Sequence, residues 1–159
     1  MKRILGTYVA GRAAVGLLLL RLVLGLGIGL HGYQKYSSLP GPDSAGGPFG
    51  WAAGMPFHPP PFFQGLATLA EFGGGFALMV GLLTPLSAFG ILMTMGTAII
   101  KFHWARGAHY VSLTPGVPEY ELAGHYFIFA LALLVSGPGS ISLDALIFGR
   151  RFRDPAYVP

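Results

Sequence analysis

Long apolar runs dominate the chain, and short polar or proline-rich segments separate them. Three runs, over residues 13–33, 64–83 and 86–104, are long enough to cross a bilayer, because about 20 helical residues at 1.5 Å each span a hydrocarbon core of roughly 30 Å. A fourth run, over residues 119–136, is shorter, so its ends are expected at the headgroups. The pattern predicts an all-α membrane protein with a single domain, a four-transmembrane-helix bundle.

The segment between the first two runs, residues 37–63, mixes proline, glycine and aromatic residues without a helical period. Because proline supplies no backbone donor, we expect an irregular outer cap rather than a helix. Trp51, Phe57 and Phe62 are predicted to anchor this cap at the interface. A lid over a pocket beneath it is the alternative interpretation.

The end of the fourth run carries a helix break and a restart. Gly137-Pro138-Gly139 interrupts the helix, and Ser142 is placed to cap a short helical turn that follows it. Residues 140–159 are therefore predicted to form an interfacial tail with a short amphipathic helix, lying on the cytoplasmic surface.

Composition and charge agree with a membrane protein. Hydrophobic residues make up 53% of the chain and charged residues 10%, and the mean hydropathy is +0.61, which is unlike a soluble domain. The positive-inside rule predicts that both termini are cytoplasmic, in a bacterial or archaeal inner membrane. The pI of about 9.6 then reflects contact with anionic lipid, and no basic soluble module points to nucleic acid. The basic residues that set this orientation are Lys2, Arg3, Arg12, Arg150, Arg151 and Arg153.

The chain contains no cysteine. This excludes disulfide exchange, covalent haem attachment and thiolate metal sites within the chain, and no histidine spacing singles out a haem or other metal site. A redox role would therefore depend on a borrowed cofactor or on a partner.

Two opposite charges, Arg21 and Glu71, lie inside the first and second apolar runs. Counted from opposite membrane faces at 1.5 Å per residue, Arg21 lies about 12 Å deep and Glu71 about 10 Å deep, so their heights differ by roughly 8 Å. An unpaired charge at mid-membrane costs about 2.5–3.5 kcal/mol or more, which predicts that the two residues pair across the helices. Small residues at Gly25, Gly29 and 73–75 predict the close helix approach that would bring them together. Whether this pair is functional or only fixes helix register stays open.

Further polar residues fall in the outer half of the predicted bundle. Spacing of four places His31 with Lys35, and Glu121 with His125, on shared helix faces, whereas Lys101 and His103 diverge. Interfacial histidines and solvated rim charges are the structural alternative for this group.

The order of these motifs resembles the DoxX family over roughly residues 17–144. The motifs are Arg21, His31-Gly32-Tyr33-Gln34-Lys35, Glu71-Phe72-Gly73-Gly74-Gly75, Gly81-Leu82-Leu83-Thr84-Pro85, Glu121 and the segment 137–144. The resemblance implies a four-helix inner-membrane protein. Some members are described as subunits of thiosulfate:quinone oxidoreductase and others as membrane partners of oxidative-stress enzymes. No settled catalytic residue set comes with the family.

Our hypothesis from the residues is a redox subunit that binds a quinone or similar apolar carbonyl ligand in the outer half of the bundle. Arg21 and His31 would donate to a carbonyl, and Glu71 would relay a proton. Electrons would come from a partner oxidoreductase or from a bound sulfur oxyanion. The remaining candidates are His103, Glu121 and His125 as links to outer water, and Lys35, Lys101 and Arg106 as anion-attracting groups.

The alternative from another class is a non-enzymatic membrane anchor or assembly partner for another protein. A small-solute transporter has less support, because no inverted repeat or broken mid-membrane helix is visible. The ligand, the partner and any homo-oligomeric state stay open at this point.

Overall fold

The computed structural model describes residues 8–37 and 60–149, and within these ranges the ordered elements are helices. An isolated bridge joins His109 to Glu119, and no strand occurs in the described part. Three helices are long and apolar enough to cross a membrane, and a fourth apolar helix is shorter, which confirms the sequence prediction of a helical membrane protein at this level. In chain order the helices are α1 (Arg12–Ser37), α2 (60–80), α3 (84–106), α4 (Glu121–Ser136) and α5 (Leu143–Phe148).

Most of the predicted cap and the end of the predicted tail lie outside the described residues. Trp51 and Phe57 belong to that part of the chain. Phe62, the third predicted anchor, opens α2 with an exposed ring that meets Phe63 edge to face at 5.4 Å.

Helix α2 is regular only at its two ends. It begins as an α-helix over Pro60–Thr68, widens to a π-helical turn over Leu69–Gly73 and returns to an α-helix over Gly74–Val80. Helix α3 likewise passes from Thr84–Thr97 into a π-helical turn over Ala98–His103 and a 3-10 turn over Trp104–Arg106. A π-helical turn shifts the side chains that follow it around the helix axis and occurs often at functional sites. Glu71 lies in the first of these turns.

The helices pack so that α1 lies along α2, α3 lies along α4, and both pairs touch. Leu24, Ile28, Leu78, Ile91 and Leu133 meet in the shared interior and are fully buried. Large apolar side chains also cover the outside, as a surface facing lipid requires.

Glycines set the register between α1 and α2. A Cβ added to Gly75 would lie 2.7 Å from the backbone N of Gly29, and one added to Gly25 would lie 2.5 Å from the carbonyl of Gly75. A Cβ on Gly32 would collide with the backbone of Phe72. The predicted close approach of these helices is confirmed, and it places the last turns of α1 beside Glu71.

The two ends of the helix bundle are built differently. At one end, which we call the clasp end, α1 begins, α2 turns into α3, and α4 is followed by α5. Ser142 caps α5 as predicted, since its hydroxyl accepts a hydrogen bond from the backbone N–H of Ala145 at 3.1 Å. The other end, which we call the loop end, holds the end of α1, the start of α2 and the connection between α3 and α4.

Candidate functional site

Arg21 and Glu71 do not pair, so the predicted ion pair is wrong. Gly32 lies against the backbone of Glu71, and Arg21 precedes Gly32 by about 16 Å along α1 at 1.5 Å per residue. Helical side chains also lean toward the N-terminus, which carries the guanidinium of Arg21 further toward the clasp end. The two buried charges therefore lie at different depths and have different partners.

Arg21 belongs to the clasp end. Its side chain is fully buried, Nη2 donates to the carbonyl of Ile141, and the guanidinium lies against the backbone of Gly81. Nε and Nη1 have no hydrogen-bond partner in the described part of the chain. Asp144 supplies the nearby opposite charge. The segment that carries Ile141 and Asp144 covers Arg21.

Asp144 connects three parts of the chain, and we call the group formed with Arg21, Gly81, Leu83 and Thr84 the Asp144 clasp. Its Oδ1 accepts from the N–H of Leu83 at 2.7 Å, and its Oδ2 accepts from the N–H of Thr84 at 2.8 Å. Its own N–H donates to the carbonyl of Gly81 at 2.9 Å. The carboxylate therefore caps the first turn of α3 and holds Leu83 in a left-handed conformation, with φ of 48°.

Tyr8 adds a contact from the chain segment before α1. Its hydroxyl donates to the backbone carbonyl of Asp144 at 3.1 Å. Burial raises the pKa of Tyr8, and the charge of Asp144 raises it further, so the hydroxyl keeps its proton as a donor. At the clasp end, these hydrogen bonds therefore connect the segment before α1, the turn between α2 and α3, and the start of α5.

Glu71 lies near the loop end, where the structure pairs it with Lys35. The carboxyl is fully buried, and Oε1 accepts a hydrogen bond from Nζ of Lys35. The lysine side chain keeps 31% of its surface exposed, so the pair joins the interior to the edge of the helix bundle. The sequence argument grouped Lys35 with the solvated rim and missed this ion pair.

A line of buried polar groups continues from Glu71 along α2. Gln64, Thr68 and Glu71 stand at i, i+4 and i+7, and their exposed fractions are 0%, 6% and 0%. We call these three residues the polar strip. Both amide atoms of Gln64, the hydroxyl of Thr68 and Oε2 of Glu71 have no hydrogen-bond partner among the described residues. Each unmet buried polar group costs about 1–3 kcal/mol, so four on one helix face make the polar strip a candidate binding surface.

Tyr126 of α4 packs against α1 on a different face from the one that contacts Glu71. A Cβ added to Gly27 would lie 2.5 Å from its hydroxyl oxygen, so the ring crosses the α1 backbone closely. His31, one turn further along α1, meets the Tyr126 ring edge to face at 5.9 Å. Tyr126 and Glu71 therefore lie beside different faces of α1.

Two of the other predicted site residues, His103 and His125, lie in a separate aromatic group with Tyr110 and Tyr120. Nε2 of His125 lies 3.4 Å from the hydroxyl of Tyr110, and His103 stands 6.4 Å from Tyr120, measured between ring centroids. Lys101 is exposed and Glu121 is partly buried at the start of α4. The structure therefore brings Lys35 to Glu71 and places His31 beside Tyr126. Within residues 8–37 and 60–149 it shows no contact that joins Lys101, His103, Glu121 or His125 to the polar strip.

Sequence reasoning missed Gln64, Thr68 and Tyr126. The first two carried a readable signal, because their spacing from Glu71 puts all three on one helical face. Tyr126 carried none, since its role depends on how α4 is rotated and on the space above Gly27.

Buried charges inside long apolar helices define a multi-pass helical membrane protein. The sequence model of the DoxX family matches residues 16–104, which is more than half of the chain, and the protein belongs to this family. The match spans most of α1, all of α2 and most of α3, and ends before α4. No curated protein and no solved structure gave a match.

Proposed function

We propose that this protein is the membrane subunit of a redox system and that its polar strip binds a quinone or a similar apolar ligand with a carbonyl group. The carrying observation is the set of buried polar atoms on Gln64, Thr68 and Glu71 that have no partner in the described residues. An amide N–H and a hydroxyl are suitable donors for a carbonyl oxygen. The apolar faces of the neighbouring helices suit the ring and tail of such a ligand.

Each residue of the proposed site has a separate role in binding the ligand or moving a proton. A bound quinone would supply the capacity to take up electrons together with protons. Gln64 and Thr68 orient the ligand by donating to its oxygen. Glu71 relays a proton at Oε2, while its Oε1 is paired with Lys35. Because Lys35 is partly exposed, it also gives protons a short path to the loop end.

Arg21 has no part in this proposal, because the Asp144 clasp encloses it at the other end of the bundle. Electrons come from a partner oxidoreductase, since a chain without cysteine has no thiol couple of its own.

The test is quinone binding to purified protein in mild detergent. Co-purifying quinone is assayed by mass spectrometry, and a short-chain quinone is titrated into delipidated protein. Thr68→Val removes one hydroxyl at constant shape, and we expect about fivefold weaker binding, which corresponds to about 1 kcal/mol for one hydrogen bond. Gln64→Leu and Glu71→Gln should also weaken it.

Thr94→Val is the matched control, because the Thr94 hydroxyl already donates to the carbonyl of Gly90 at 2.9 Å within α3. Its quinone affinity should equal that of the wild type. A wild-type protein that neither contains nor takes up quinone would contradict the proposal and favour the non-enzymatic anchor.

We also propose that the clasp end faces the cytoplasm. Because the chain is free of cysteine, single introduced cysteines report orientation without background. Leu113→Cys lies in the α3–α4 connection, where Leu113 is 96% exposed. Labelling of this cysteine in intact cells by a membrane-impermeant maleimide would support the orientation, and labelling only after lysis would reverse it.

A further inference from the structure

Helix α5 is held against the helix bundle at both of its ends, although it has only 6 residues. A helix this short is not stable alone in water, so its contacts with the rest of the chain keep it folded. At its start, Asp144 accepts hydrogen bonds from the N–H groups of Leu83 and Thr84. At its end, a Cβ added to Gly149 would lie 3.4 Å from the ring of Tyr8. The Asp144 clasp therefore sets the orientation of α5.

This orientation turns an apolar face of α5 outward. Leu143, Leu146 and Ile147 stand at i, i+3 and i+4, so they share one face of the helix, and all three are exposed. More than half of the surface of Leu146 and of Ile147 is accessible. Asp144 is buried in the clasp on the other side. One side of α5 thus binds the protein, and the other presents large apolar side chains to the surroundings.

The outward face of α5 continues the lipid-facing surface of the membrane-spanning helices. The segment before α5 lies against the start of α1, because a Cβ added to Gly139 would lie 3.7 Å from Cα of Ala14. Val15 and Leu19, further along α1, and Val135 at the end of α4 are also exposed. Apolar side chains on the outside of a spanning helix face lipid. The surroundings of α5 are therefore the edge of the bilayer at the clasp end.

Basic residues flank this apolar face. Arg150, Arg151 and Arg153 come directly after α5, and Asp154 is the single acidic residue in the sequence between positions 145 and 159. An exposed arginine, Arg12, also opens α1 at the same end. Basic side chains beside an inserted apolar face are the combination that binds anionic headgroups at a membrane surface. Charge complementarity therefore favours a negatively charged lipid as the partner of this surface.

We propose that α5 and the arginines that follow it form a binding site for anionic phospholipid in the leaflet at the clasp end. Leu143, Leu146 and Ile147 insert among the acyl chains, and the arginines contact the phosphate groups. Asp144 is the positioning residue, because it fixes the helix with its apolar face outward. This inference does not depend on quinone binding.

The first test measures where the apolar face lies. Because the chain contains no cysteine, Leu146→Cys and Ile147→Cys can each carry a single bimane label on the full-length protein. The protein is placed in vesicles of phosphatidylcholine and phosphatidylglycerol, and loss of fluorescence is compared for a nitroxide-bearing lipid and for aqueous iodide. We expect the lipid quencher to act more strongly at both positions. Leu19→Cys is the control for lipid exposure, and Leu113→Cys, in the α3–α4 connection, is the control for water exposure.

Two results of this test would overturn the proposal. Stronger quenching of both labels by iodide would place the apolar face of α5 in water. Protection of both labels from both quenchers would show that protein covers the face, either a partner or a second copy of this chain.

The second test measures the choice of headgroup. The protein is extracted from vesicles with equal amounts of the two phospholipids, and the lipid that stays bound is measured by mass spectrometry. We expect phosphatidylglycerol to be enriched about fivefold, the preference that one basic side chain near an anionic surface provides. The triple variant Arg150→Gln, Arg151→Gln, Arg153→Gln should lose this enrichment.

The matched control neutralises two exposed basic residues at the loop end, Lys101→Gln and Arg106→Gln, and should keep the enrichment. Circular dichroism checks that both variants are folded. Equal enrichment in the wild type and the triple variant would overturn the assignment of the headgroup to these arginines.

Discussion

Replacement of Asp144 by alanine should destabilise the protein more than the loss of an average carboxylate does. The side chain is 4% exposed and accepts two short backbone hydrogen bonds from the start of α3, at 2.7 and 2.8 Å. It also provides the opposite charge for buried Arg21. Alanine removes all three interactions and leaves both N–H groups and the guanidinium inside the clasp.

The size of the effect follows from these contacts. A hydrogen bond to a charged group contributes about 1.5–3 kcal/mol, so the two together give about 3–6 kcal/mol. Leaving the charge of Arg21 buried without an opposite charge costs about 3–5 kcal/mol. This cost and that of the two hydrogen bonds are not additive, because the same carboxylate accepts the hydrogen bonds and provides the charge. We expect a loss of about 4 kcal/mol, which for a chain of this length lowers Tm by roughly 10 °C.

The assay is thermal unfolding in detergent, followed by circular dichroism. Glu119→Ala is the matched control, because Glu119 accepts a backbone hydrogen bond from Ser112 at 3.2 Å at an exposed site. Its Tm should change by no more than about 2 °C, since surface substitutions usually cost under 0.5 kcal/mol. Equal shifts for Asp144→Ala and Glu119→Ala would refute the capping argument. Asp144→Asn keeps one acceptor oxygen but loses the charge and the second hydrogen bond, so its Tm should fall less than that of Asp144→Ala.

Two further predictions concern α1 and α2. Lys35→Met should destabilise the protein by about 3 kcal/mol, because it leaves the charge of Glu71 buried without a partner. Glu71→Gln should cost clearly less, because the lysine that loses its partner can reach solvent. Equal losses in the same unfolding assay would contradict this. Gly75→Ala should cost about 1–3 kcal/mol, because its Cβ would lie 2.7 Å from the backbone of α1. Gly16→Ala is the control: nothing lies within 4 Å of its Cβ, so it should be neutral or slightly stabilising. A stabilising Gly75→Ala would show that the two helices do not touch there.

Helix positions could be predicted from the sequence because apolar run length is set directly by bilayer thickness. The pairing of Arg21 with Glu71 could not, although the close approach of their helices was predicted correctly. Depth counted from assumed membrane faces ignores the register that Gly32 and Gly75 impose, and it ignores the lean of side chains along a helix. The Asp144 clasp was equally inaccessible, because it depends on where a segment far along the chain folds back.

The two buried charges have different surroundings. The charge of Arg21 is met by Asp144, and the backbone of Ile141 covers it. Nε and Nη1 of Arg21 and the hydroxyl of Thr84 also lack hydrogen-bond partners in the described residues, so unmet polar atoms occur at both ends. On α2, however, they share one helix face, which carries the amide of Gln64, the hydroxyl of Thr68 and Oε2 of Glu71. An apolar group of the same shape at Gln64 or Thr68 would remove the cost of these unmet atoms. The ligand that we propose would meet these groups when it binds and so offset their cost.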